Sequence, residues 1–60
     1  MVRIKNINGF DELVSPLQVV KIFCQREEVT GQIMARIETT TGRYTLTYED
    51  LDSLEERFTV

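Results

Sequence analysis

The chain has 60 residues, a formal net charge of −3, one cysteine and no histidine. One cysteine allows no internal disulfide, and without histidine it cannot assemble the usual four-ligand zinc set. A single domain is expected, and a chain of this size hides only about 60% of its unfolded surface, so self-association is the remaining way to add stability.

Val2 to Ile7 alternates loosely and runs into Asn8-Gly9. Both turn residues tolerate the positive φ of a two-residue type I′ turn, which predicts a hairpin. Closing that turn pairs Ile7 with Phe10, Lys5 with Glu12 and Ile4 with Leu13. The opening residues hold no apolar run of signal-peptide type, and no stretch has the roughly 18 apolar residues of a membrane span. With an unpaired cysteine, these features give a cytoplasmic expectation.

Ser15-Pro16 breaks the alternation, and Leu17 to Glu28 has two readings. As a helix, Ser15 is the N-cap, Pro16 the first helical residue, and Gln18 closes a capping box. As a strand, Val19-Val20-Lys21-Ile22-Phe23 is a dense β-branched and aromatic run. A helix leaves Glu27 inside the apolar arc. A strand lets Ile22 oppose Ile37, Cys24 oppose Ala35 and Lys21 oppose Glu38, with Glu28 to Gly31 as the turn, and it is favoured.

Ile33, Ala35 and Ile37 then alternate with polar residues and Met34, and beyond Thr41-Gly42 so do Tyr44, Leu46 and Tyr48. The spacing changes at Leu51, Leu54 and Phe58, which predicts a helix over about Tyr48 to Phe58. Thr47 is its expected N-cap, Asp50 completes a near capping box, and Leu46 and Leu51 take the staple positions. From Glu49 onward five acids face one base, Arg57, so the acidity belongs to this helix.

The expected fold is α+β: an antiparallel sheet of four or five strands built from hairpins, with one C-terminal helix packed on one face. Ile4, Leu13, Val20, Ile22, Cys24, Ile33, Ala35, Ile37, Tyr44 and Leu46 are assigned to the core face, under Leu51, Leu54 and Phe58. The other face gathers Arg3, Lys5, Lys21, Arg36 and Arg43, with Ile7, Phe10, Val14, Val19, Phe23 and Met34 among them. Glu12, Glu27 and Glu38 offset part of that charge.

Catalysis is not expected. Without histidine the commonest general base is missing. Ser15 reads as a cap, Ser53 as a polar helix position and Cys24 as a small buried hydrophobe. Glu55 and Glu56 are adjacent and diverge on a helix. No phosphate-binding loop, dinucleotide fingerprint or calcium loop is present, so no cofactor or metal is expected. A strand, the Ile7-Asn8-Gly9 turn and later paired strands resemble the outline of the small flagellar FlbD-type proteins. The acidic helix from Glu49 departs from that outline, and no function is carried over from it.

The expectation is therefore a small non-catalytic protein, an adaptor, regulator or inhibitor that works through protein contact and as a homo-oligomer. Its size and acidity also suit short accessory proteins of the kind phages carry. The expected interface is Phe10, Val19, Phe23, Met34 and Arg36. The alternative is a binder of nucleotide or single-stranded nucleic acid on Lys5, Lys21, Phe23, Arg36 and Arg43. The acidic balance weighs against it.

Overall fold

The computed structural model describes residues 1–58, in which five strands form two antiparallel sheets and one helix follows them. Strands β1 (Val2–Lys5) and β2 (Asp11–Val14) make a two-stranded sheet. A 3-10 turn at Pro16–Gln18 leads into β3 (Val19–Arg26), β4 (Ile33–Thr39) and β5 (Tyr44–Thr47), a three-stranded sheet in that order. Helix α1 spans Leu51–Phe58. The α+β class is as expected, but the strands divide between two sheets instead of forming one.

The stretch after Ser15-Pro16 is a strand, as its β-branched run indicates. Pro16 does begin a helical turn, with Gln18 N–H donating to Ser15 C=O at 3.0 Å, but it ends at Val19. Ile22 opposes Ile37, Cys24 opposes Ala35 and Lys21 opposes Glu38. Glu28 to Gly31 form the connecting loop, closed by Glu27 N–H to Gln32 C=O at 2.8 Å.

Of the other two hairpins, the first is one residue out of the expected register, and in the second the faces expected for Tyr44 and Leu46 are reversed, for the same reason. In the first, Gly9 (φ +88°) sits in the left-handed region and donates to Asn6 C=O, making a three-residue loop of Ile7, Asn8 and Gly9. Asn6 holds it: its Oδ1 accepts from Asn8 N–H at 2.9 Å and from Phe10 N–H at 3.0 Å. Ile4 therefore opposes Glu12, Lys5 opposes Asp11 and Arg3 opposes Leu13. In the second, Gly42 (φ +83°) donates to Thr39 C=O and closes a loop of Thr40, Thr41 and Gly42. Ile37 therefore opposes Thr45, and Arg36 opposes Leu46. A three-residue loop with glycine left-handed at its end competes with the two-residue type I′ turn, and one residue of slip turns every side chain over.

The core follows from those registers. Ile4, Val14, Ala35, Ile37 and Leu54 are buried together, with Val2, Val19, Ile22 and Phe58 packed around them. Val14, expected on the outer face, is inside, and Leu13 is outside. Thr45 and Thr47 point inward where Tyr44 and Leu46 were expected. Val20, Cys24 and Ile33 are exposed despite their assignment to the core. Length explains the last two: an eight-residue helix covers about 12 Å, whereas the eight-residue β3 runs about 26 Å.

The helix begins later than expected. Its N-cap is Asp50, whose Oδ2 accepts from Ser53 N–H at 3.2 Å and whose C=O accepts from Leu54 N–H at 3.0 Å. Thr47 remains in β5, and its hydroxyl instead accepts from Glu49 N–H while donating to Lys5 C=O at 2.7 Å.

Candidate interaction surfaces

On the outer face of the three-stranded sheet, the registers line up Lys21, Phe23, Arg36, Glu38, Tyr44 and Leu46. Lys21 Nζ lies 4.7 Å from the centroid of the Phe23 ring. The Arg36 guanidinium stacks 3.9 Å from the Tyr44 ring and pairs with Glu38 at 3.2 Å. Each cation on this face is thus turned onto an aromatic neighbour of its own sheet. Arg36 already has a carboxylate partner, which lowers what it can offer a phosphate.

The five expected interface residues do not share one open patch. Phe10 is 70% exposed, in the β1–β2 loop, while Met34 is 4% exposed. A bulge between Val19 and Lys21 turns Val19 to the core side, where it packs. Phe23 and Arg36 remain together, half-buried. Of the alternative set, Lys21, Phe23 and Arg36 share the outer face. Lys5 is on the other sheet opposite Asp11, and Arg43 is next to the β4–β5 loop.

Among the hollows formed by the described residues are a larger and a smaller one. The larger, about 680 Å³, opens between β2 and the β4–β5 hairpin, with Leu13, Val14, Arg43 and Tyr44 in its lining. Glu12 and Thr45 also line it. The Glu12 carboxylate accepts from Asn6 Nδ2 at 2.9 Å and from the Thr45 hydroxyl at 3.3 Å. The smaller, about 410 Å³, lies beside Ile7, Thr47 and Tyr48. Among the described residues, no cluster of three His, Cys, Asp or Glu side chains could hold a metal ion. The Glu27 carboxyl is held below its ordinary range by the backbone N–H of Thr30, then by its hydroxyl and by Val29 N–H. That group shapes a turn.

The strand edges differ in how they are closed. Backbone N–H and C=O groups need partners, and an open edge is a template for another strand. On β1, Lys5 C=O accepts from Thr47 Oγ1, Arg3 C=O accepts from the Arg57 guanidinium, and beyond the strand end Ile7 N–H donates to Leu46 C=O on β5 at 3.0 Å. Arg57 is itself anchored to Glu49 at 2.7 Å. The Thr47 and Ile7 contacts tie the two sheets together, and Arg57 ties the helix to β1. Sequence reasoning placed none of them, although the inward pair Thr45-x-Thr47 becomes readable once the loop before it is known to have three residues.

On β3 the situation is the reverse. Its N–H and C=O groups alternate between β4 and the open side. The closing bond at Glu27 and Gln32 directs Gln25, Phe23 and Lys21 toward β4, which leaves Ile22, Cys24 and Arg26 directed outward. No strand lies beyond them among the described residues.

Comparisons of the chain with protein-family models, curated proteins and solved structures found no match. Among the described residues, no helix is long and apolar enough to cross a membrane.

Proposed function

We propose that this chain is a non-catalytic binding protein that acts through protein–protein contact, as an adaptor or inhibitor, and that it associates with copies of itself in the cytoplasm. The observation that carries this reading is where the apolar side chains lie. Among the described residues, six hydrophobic ones are buried while nine large ones are more than half exposed, Leu13, Leu17 and Val20 among them. A core that small supports a 60-residue chain only narrowly, given roughly 0.05–0.15 kcal/mol of stability per residue. Covering even one such side chain is worth about 1.5–3 kcal/mol.

Sedimentation and thermal melting over a concentration series test it. The expected result is a species larger than a monomer and a melting temperature that rises with concentration, as mass action requires. A monomer at the highest soluble concentration, with concentration-independent melting, overturns it.

The second reading, nucleotide or single-stranded nucleic acid, has one observation in its favour, the cation–aromatic pair of Lys21 and Phe23. It predicts salt-sensitive binding of a short oligonucleotide that is lost when Phe23→Ala and Arg36→Ala are combined. No binding at low salt removes it.

A further inference from the structure

We infer that the partner copy docks along β3, edge to edge and antiparallel, so that two three-stranded sheets become one sheet of six. This rests on the self-association reading above and names its seam. Strand β3 has eight residues, against four in each of β1, β2 and β5. It stands at the end of its sheet, with the backbone groups of Ile22, Cys24 and Arg26 facing outward. On the β1 and β5 edges the carbonyls of Lys5, Arg3 and Leu46 are covered by Thr47, Arg57 and Ile7, whereas β3 has no such cover among the described residues.

The occupant that fits is a second β3. Two identical strands running antiparallel are related by a twofold axis, so each contact forms twice. Outward groups meet only outward groups, which restricts the register. Only one register matches the three outward residues among themselves and avoids the bulge at Val20: Cys24 opposite Cys24 of the other copy, and Ile22 opposite Arg26. It also sets Lys21 opposite Glu27 of the other copy, twice, with no like charges face to face. Both Val20 and Cys24 are exposed, so the approach is open.

Amide hydrogen exchange at low and high protein concentration tests the seam directly. Phe23 and Gln25, bonded to β4, are protected at both. Ile22, Cys24 and Arg26 gain protection with concentration, by about tenfold or more, as association closes the edge. The opposed cysteines supply a second readout. Paired residues of this kind have Cα atoms about 5.5 Å apart, within disulfide range. Diamide, which takes up the two electrons and two protons of a thiol pair, then yields a covalent dimer. Cys24→Lys places like charges across the axis and is expected to sediment as a monomer with an unchanged circular dichroism spectrum, while Cys24→Ser keeps the dimer. A dimer whose Ile22, Cys24 and Arg26 amides stay unprotected overturns the seam and leaves the self-association reading standing. A folded Cys24→Lys chain that still dimerises also overturns it. A wild-type monomer overturns both.

Discussion

Glu27 closes the loop between β3 and β4 with its own carboxylate, whose Oε2 accepts from Thr30 N–H at 2.6 Å. The Thr30 hydroxyl accepts in turn from Gln32 N–H, so two side chains hold the loop. The Thr30 amide, then its hydroxyl and the Val29 amide, favour the charged form and keep the Glu27 pKa below its ordinary value of 4.5. A carboxyl depressed in this way contributes stability above its unfolded pKa and loses it as pH falls through the folded one. Melting temperature is therefore expected to fall on acidification below pH 4.5, and Glu27→Gln should flatten part of that fall. Solvent screens the carboxylate, so the effect is small; an unchanged acid profile in Glu27→Gln would remove the loop from the account. Single residues of this kind were poorly legible beforehand. Glu27 was grouped with sheet-face charges, and Thr47 was read as a cap, because a side chain's hydrogen-bond partner depends on which strand ends beside it.

At the scale of elements, strands and helix were legible and their phases were not. The β-branched run from Val19 and the hydrophobic spacing of Leu51, Leu54 and Phe58 identify element types directly. Phase depends on a single loop residue, and Asn8-Gly9 and Thr41-Gly42 serve two- and three-residue loops equally well. The β3–β4 hairpin was placed in register because its four-residue loop offered no such competition. Its long apolar strands also fix their own alignment. The helix start invites a direct test. Asp50→Ala removes the N-cap and is expected to cost about 1 kcal/mol in urea denaturation. Thr47→Val keeps the shape but leaves the Lys5 carbonyl without its donor, for a loss of about 1–3 kcal/mol. If Thr47 acted as the cap and Asp50 did not, Asp50→Ala would be silent.

Across the molecule, three hydrogen bonds among the described residues join the two sheets, Ile7 to Leu46, Thr47 to Lys5 and Thr45 to Glu12, while Arg57 ties the helix to Arg3 of β1. Leu54, fully buried, shares one core cluster with Ile4 and Val14 of one sheet and Ala35 and Ile37 of the other. Two sheets were not legible in the sequence, because Ser15-Pro16 reads equally as a bend within one sheet. Removing residues 51–60 deletes Leu54, Phe58 and Arg57 together, and circular dichroism of the shortened chain is expected to show an unfolded protein. Retention of native strand content would mean that the sheets hold without the helix.

The hydrogen bond from Arg57 to the carbonyl of Arg3 spans 54 positions of sequence. Until residue 57 has been added to the growing chain, the Arg3 carbonyl lacks the donor that covers it in the finished fold. A β1 strand that formed before then would present an uncovered edge, open to pairing with another strand. Completion of the fold therefore belongs to a chain already translated as far as residue 57.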